Sequence, residues 1–391
     1  MIGNDALHEH GANVNNAPAW LTPALLALVL CGCAGSPATP PQAPCADGSH
    51  FELLGEIRWP HGLAFGSDAV GGLSSIDRDP ASGLYYLVSD DRSRPGAAPL
   101  YVARIDYDAS GLHGFTLQER RWLELAAAQH RASEVRPDAE ALRLLPGGDR
   151  LLWSSEGDFA RGQGPELIEA RRSGQWLRRW ALPGHWQLPA RPHRARQGPR
   201  SGLTLEAMGL STNGQTLWLA MESALKQDGA PPGAGRAGAP VRIAAYDIAT
   251  RRPLREIAYE PDALPAGLWL LPSRALGGVS DILADGSDHL LVLERQYAPQ
   301  HGFGARIYRM DTQDPSNTLD METLVPGQFR AARKTLLLDL AQLGLRSVDN
   351  LEGMSWGAPL ADGRRVLLLV SDDNFNPAQV TQLIALATCA P

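Results

Sequence analysis

The sequence predicts an all-β protein, a β-propeller of five four-stranded blades, and three observations predict it. One phrase recurs five times along the chain. Its parts are short apolar strands joined at glycine turns. The last repeat is one strand short, while the start of the folded region holds a strand with no repeat of its own.

The phrase is an acid, a small residue, a large aliphatic, a turn, an apolar strand and a second acid. Glu140-Ala141-Leu142 runs to Ser155-Glu156, and Glu206-Ala207-Met208 passes the Asn213-Gly214 turn to Met221-Glu222. Asp281-Ile282-Leu283 passes Asp285-Gly286 to Leu293-Glu294, and Glu352-Gly353-Met354 passes Asp362-Gly363 to Ser371-Asp372. Gly72-Leu73-Ser74, running to Ser89-Asp90, is a divergent first copy without the leading acid. Taking Leu73, Leu142, Met208, Ile282 or Leu283, and Met354 as anchors gives gaps of 69, 66, about 75 and about 71 residues. A period this long, made of short strands and tight turns, belongs to a propeller and not to a helical solenoid.

Further strands complete the blades. Stretches 166–171 and 175–182 follow in the second repeat, and 241–248 and 253–259 follow in the third. The last repeat adds only 380–387, so 51–59 is expected to supply its fourth strand and close the ring, which removes free sheet edges. Six blades result if the irregular segment 319–340 holds another.

Of 391 residues, 44% are hydrophobic, enough to bury a core, and the net charge is -7. That balance argues against nucleic acid as the main partner, since phosphate backbones require a basic footprint. It fits an exported protein that binds cations or uses carboxylates. Segment 20–30 (WLTPALLALVL) is too short to span a bilayer but has the length of a signal-peptide core. It runs into Leu30-Cys31-Gly32-Cys33, which resembles a bacterial lipobox, although no Lys or Arg precedes it. The expected organisation is a lipoprotein signal over 1–32, a lipidated Cys33 with a Pro-rich tether over 33–50, and one propeller domain over 51–391. The expected location is the outer membrane, facing periplasm or cell surface, with periplasmic or secreted protein the alternative. The only membrane partner is then the lipid anchor, and the protein is read as a monomer. Cys45 and Cys389 remain at the two ends of the folded region. Export permits a disulfide between them, with two unrelated thiols the alternative.

Acids recur at two places in each repeat. The leading set is Glu140, Glu206, Asp281 and Glu352, and the strand-end set is Asp90, Asp91, Glu156, Glu222, Glu294, Asp372 and Asp373. Equivalent positions of a propeller lie on a ring, so these carboxylates converge and repel unless they share protons, cations or basic partners. Oxygen donors alone suit Ca²⁺ or Mg²⁺, not zinc. Asp349 beside Glu352 joins the candidate ligands, and Asn374 and Asn376 add neutral oxygens. Arg92 and Arg295 follow strand-end acids and read as ion-pair partners or as phosphate contacts. Gly353-Met354-Ser355-Trp356-Gly357 matches the G-x-S-x-G pattern, but a strand follows Ser355 where a nucleophile elbow needs a helix. The ten His form no zinc-hydrolase motif.

Several ordered motifs carry a family resemblance. They are Gly71-Gly72-Leu73-Ser74, Ser89-Asp90-Asp91-Arg92, Ser155-Glu156-Gly157, Met221-Glu222, Val279-Ser280-Asp281, Leu293-Glu294-Arg295, and the passage 349–376. Together, across about 51–388, they resemble the phytase-like family, "esterase-like activity of phytase". The resemblance implies an exported bacterial propeller and Ca²⁺-dependent hydrolysis of a small phosphorylated or ester substrate. In that chemistry Asp90, Asp91, Glu156, Glu222, Asp281, Glu294, Asp349, Asp372 and Asp373 are the candidate metal ligands. Glu206 and Glu352 are then candidate catalytic carboxylates, and Arg92 and Arg295 candidate catalytic phosphate contacts. A non-catalytic propeller that binds a ligand or protein partner is the alternative.

Overall fold

The computed structural model describes residues 45, 50–60, 63–126, 135–191, 195–265, 276–299 and 301–389. The expected signal segment, Cys33 and nearly all of the expected tether lie outside these residues. Among the described residues no helix is long and apolar enough to cross a membrane.

Five four-stranded antiparallel sheets follow one another along the chain. The first blade comprises Leu73–Arg78, Tyr85–Ser89, Ala97–Asp108 and Gly111–Glu124, from inner to outer strand. The second comprises Ala139–Leu144, Arg150–Ser155, Glu166–Arg171 and Trp176–Trp180, and the third Leu205–Leu210, Thr216–Met221, Val241–Asp247 and Arg252–Tyr259. The fourth comprises Leu276–Ala284, His289–Ala298, Gly302–Asp311 and Lys334–Asp339. Segment 319–340 therefore holds the outer strand of the fourth blade, and the ring has five blades.

The fifth blade closes the ring. Asn350–Trp356, Val366–Asp372 and Val380–Thr388 come from the end of the chain, and Phe51–Pro60 pairs along Val380–Thr388 from the start. Cys45 and Cys389 form a disulfide beside this seam, their Cα atoms 5.3 Å apart.

The two inner strands of each blade are almost wholly buried, which explains their near-continuous apolar runs; Val366–Asp372 (VLLLVSD) is buried at every position. Apolar side chains interlock between blades. Leu142, Leu151 and Trp153 of the second blade pack with Tyr86, Val88 and Leu100 of the first, and Leu293 and Ile307 of the fourth with Met354 and Leu369 of the fifth. Inner strands approach closely enough to demand small residues. A Cβ on Gly353 would meet Ser75 Cα of the first blade at 2.9 Å.

Each inner strand carries a β-bulge near its start. The register shifts fall between Leu73 and Ser75, Ala139 and Leu142, Leu205 and Ala207, Val279 and Asp281, and Leu351 and Gly353. A bulge inserts an unpaired residue and re-aims its side chain. The bulged residues are Ser74, Glu140 with Ala141, Glu206, Ser280 and Glu352. This register corrects the equivalence expected for the fourth repeat. Ser280 stands at the leading-acid position, and Asp281 stands where the other blades have Ser75, Ala141, Ala207 and Gly353. The register also makes Ile76, rather than Leu73, the anchor of the first copy, facing Leu87 as Met208 faces Leu219.

Candidate functional site

The bulges gather the first tier of acids. Carboxylate oxygens of Glu140, Glu206 and Glu352 lie within 4.8 Å of one another. The second tier stands at or near the end of the second strand in each blade, one residue past the position that faces the residue before the bulge. Leu73 faces Ser89, Ala139 faces Ser155, Leu205 faces Met221, Val279 faces Glu294 and Leu351 faces Ser371. The next residue in each case is Asp90, Glu156, Glu222, Arg295 and Asp372. Four blades thus contribute a carboxylate at this position and the fourth contributes a guanidinium. A third tier stands at the start of two inner strands: Asp138 and Asn350 stand two residues before Glu140 and Glu352.

These tiers line one cavity of about 520 Å³. Its described walls carry eight carboxylates (Asp90, Asp138, Glu140, Glu156, Glu206, Glu222, Glu352 and Asp372), one arginine, and no His or Cys. Three overlapping triads have ligand atoms within 4.8 Å: Asp90, Asp138 and Glu140; Glu140, Glu206 and Glu352; Glu156, Glu206 and Glu222. Arg295 is spent on the acids around it. It donates to Glu206 at 3.3 Å, Glu222 at 2.7 Å, Glu352 at 2.5 Å and Asn350 Oδ1 at 2.6 Å.

One guanidinium does not balance eight carboxylates, and their proton affinities rise accordingly. Burial first, then neighbouring carboxylates, push Asp90, Glu140 and Glu206 well above the usual range; burial does the same to Glu352 against the pull of Arg295. Burial raises Glu156 to about 8 and Asp372 to about 6. Asp90 Oδ1 is buried without a hydrogen-bond partner. An orphaned acceptor, crowded carboxylates and an all-oxygen donor set fit a hard divalent cation of the calcium type.

A sequence model of the phytase-like family, described as esterase-like activity of phytase, matches residues 68–375. The chain belongs to the phytase-like family. No curated protein matches it in sequence. Among solved structures, this phytase-like chain is similar to an α-L-arabinofuranosidase from Lactobacillus brevis, with 11% identity, a TM-score of 0.43, and 81% of this chain and 91% of the other covered. An exo-β-1,3-galactanase from Phanerochaete chrysosporium gives 9% identity and a TM-score of 0.45, covering 85% of this chain and 64% of that one. A 6-phosphogluconolactonase candidate from Bacteroides uniformis gives 11% identity and a TM-score of 0.35, covering 79% and 80%.

Of the residues singled out from sequence, Asp90, Glu140, Glu156, Glu206, Glu222, Arg295, Glu352, Asp372, Asn374 and Asn376 line the cavity of this phytase-like propeller. The others lie elsewhere, each with a local partner. Asp281 is buried beneath the tiers against Arg143 at 2.9 Å. Glu294 points between strands, accepting from Tyr259 at 2.5 Å and pairing with Lys334 at 2.5 Å. Asp91 accepts from the Ser93 backbone and hydroxyl at 2.7 and 2.9 Å. Asp349 binds the Val380 amide at 3.0 Å and the Gln379 side chain at 3.0 Å. Asp373 accepts from the Gly72 and Phe375 amides at 3.0 and 3.2 Å. Arg92, 39% exposed, stands outside the lining residues on Asp138 at 2.9 Å and Asp158 at 3.5 Å. Ser355 is buried, with its hydroxyl bonded to the Trp356 carbonyl at 3.3 Å.

Asp138 and Asn350 are cavity residues without a place in the sequence-derived ligand set, as are Gln379 and the apolar Leu276, Tyr297 and Phe303, and Glu140 enters the sequence reading only as a leading acid. The signal for the first two was the shared offset of two residues before a bulged glutamate.

Proposed function

We propose that the protein is an exported, Ca²⁺-dependent phosphoesterase whose site is the carboxylate-lined cavity. The observation that carries this reading is the excess of eight buried or half-buried carboxylates over one arginine around a single cavity, with Asp90 Oδ1 left orphaned. Family membership supports esterase-like chemistry on a phosphoester.

Glu140 and Glu206 are the central ligands in this reading, because each belongs to two of the three triads. Bound Ca²⁺ supplies positive charge that polarises a phosphoryl oxygen and lowers the pKa of a coordinated water. Arg295 orients Glu206, Glu222 and Glu352 and has its donors engaged there, which makes it a positioning residue. Arg92 is the cation with enough exposure to meet a phosphate at the rim. A phosphate cannot approach eight carboxylates unless cations precede it, so substrate binding is metal-obligate.

Purified protein assayed on phytate and on p-nitrophenyl phosphate is expected to turn over with Ca²⁺ and to stop with EDTA. Turnover indifferent to the chelator would contradict the reading. The engagement of Arg295 by three glutamates favours a second reading, a cation-stabilised propeller that binds a ligand without turnover. Ca²⁺ then raises the melting temperature while neither substrate is consumed.

Export through a lipidated Cys33 is part of the same proposal, supported by the apolar segment before it and by the Cys45–Cys389 disulfide. Labelled palmitate should enter the wild-type chain and not Cys33→Ser.

A further inference from the structure

The fourth blade differs from the others at the mouth of the cavity. Its inner and second strands have 9 and 10 residues, against 6 and 5 in the first blade and 6 and 6 in the third. The extra length lies at the start of one strand and the end of its antiparallel neighbour, so both extensions rise on the side where the acids gather. Register then sets an apolar row across three strands: Leu276 faces Tyr297, and Tyr297 faces Phe303. Tyr297 stands two residues after Arg295, so both project from the same face of one strand. All three apolar residues line the carboxylate cavity.

The row is built and unsatisfied. Tyr297 and Phe303 pack with ring centroids 4.8 Å apart, which holds both rings in place. Leu276 beside them is 57% exposed, the highest value among the described large hydrophobic residues that are exposed. The Tyr297 ring, packed against Phe303, is the part of that side chain held in place at the cavity wall. A fully hydrophilic substrate gains nothing from such a wall, whereas an apolar group beside the phosphate would cover it.

We infer that the Leu276–Tyr297–Phe303 row is a subsite for an apolar leaving group, so that the substrate is a phosphoester of an aryl or alkyl alcohol. The inference rests on the phosphoesterase reading and goes further by assigning the half of the substrate that is not phosphate. One end of the cavity takes the phosphate against bound cations, and the raised edge of the fourth blade takes the apolar group.

The test compares phenyl phosphate with glycerol phosphate as substrates of the Ca²⁺-loaded full chain. Calorimetry on phenylphosphonate and methylphosphonate gives a readout that needs no turnover. The expected result is a preference for the phenyl compounds of roughly tenfold or more in both kcat/KM and affinity. The affinity preference is expected to collapse toward unity, and the kcat/KM ratio to fall, in Leu276→Ser and Phe303→Ser, while both survive in Tyr297→Phe. Retention of the Ca²⁺-induced rise in melting temperature shows that the serine variants fold. Equal use of both substrates by wild type, or an unchanged ratio in the serine variants, overturns the subsite and leaves the phosphoesterase reading standing. Failure of every phosphorus compound to bind or react overturns both.

Discussion

Arg143 of the second blade and Asp281 of the fourth meet at the centre of the five inner strands, with side chains 2% and 1% exposed and 2.9 Å between them. Arg143 also donates to the Ser75 hydroxyl and to the carbonyls of Ile76, Leu142, Ile282 and Met354. Asp281 accepts from the amides of Met208, Ile282 and Met354 at 3.4, 2.8 and 2.7 Å. Every blade contributes to this knot, which lies beneath the acid tiers. A buried ion pair is tolerated when most of its remaining donors and acceptors are met in this way, although Arg143 Nε is left without a partner.

Breaking that pair from one side leaves an uncompensated buried charge. Asp281→Ala and Arg143→Met should each lower stability by about 3–5 kcal/mol, read from denaturant unfolding. The double variant Arg143→Met with Asp281→Leu should cost less than either single change. Additive losses would show that the two side chains act independently.

The metal-free protein should lose stability as pH rises from about 4.5 to about 8. Folding raises the affinity of the cavity carboxyls for protons, Glu156 from 4.5 to about 8 and Asp372 from 3.8 to about 6. The folded state therefore binds more protons than the unfolded state inside that window, and each rise in pH removes stabilisation. Asp79 and Glu169, held below their ordinary range, change charge below the window. On the proposed function Ca²⁺ would replace the protons, so melting curves with calcium should be flat or rising where those in EDTA fall.

Glu140→Gln should act in opposite directions with and without metal. Removing a carboxyl that repels its neighbours when ionised raises the melting temperature in EDTA on the alkaline side of its raised titration. The same change deletes a ligand oxygen shared by two triads and should weaken Ca²⁺ binding on the order of tenfold or more. A parallel shift in both measurements would mean that Glu140 is structural.

Arg295→Met strips the one guanidinium from Glu206, Glu222 and Glu352. A loss of about 3–5 kcal/mol is expected in EDTA, with much of it recovered at saturating Ca²⁺. Calcium failing to rescue the variant would separate Arg295 from the cation site.

The disulfide fastens the seam of the closing blade. Cys389→Ser should cost about 2–4 kcal/mol, and a reductant should lower the melting temperature of wild type but not of the variant.

The blade count and the closure were legible because each repeat announces its own turn and because the last one lacks a strand. The site was legible only up to a phase. In the fourth repeat Asp281 and Glu294 imitate the acids of the other copies, while Ser280 and Arg295 occupy the matching places. A bulge adds one unpaired residue to an inner strand, so the direction of the side chains after it cannot be counted from alternation alone. The close approach of neighbouring strands, which makes the second residue of the phrase small in four blades, leaves Asp281 as the exception, and its partner Arg143 carries no motif. Asp138 and Asn350 were hidden because they precede the repeated phrase.

The central claim is that the cavity exchanges protons for a divalent cation. Calorimetric titration of Ca²⁺ into chelator-treated protein near neutral pH, run in two buffers of different ionisation enthalpy, measures binding and proton release together. The account predicts saturable binding, release of protons from the cavity carboxyls, and weaker binding in Glu140→Gln and Glu206→Gln. No binding, or binding unchanged in both variants, would contradict it.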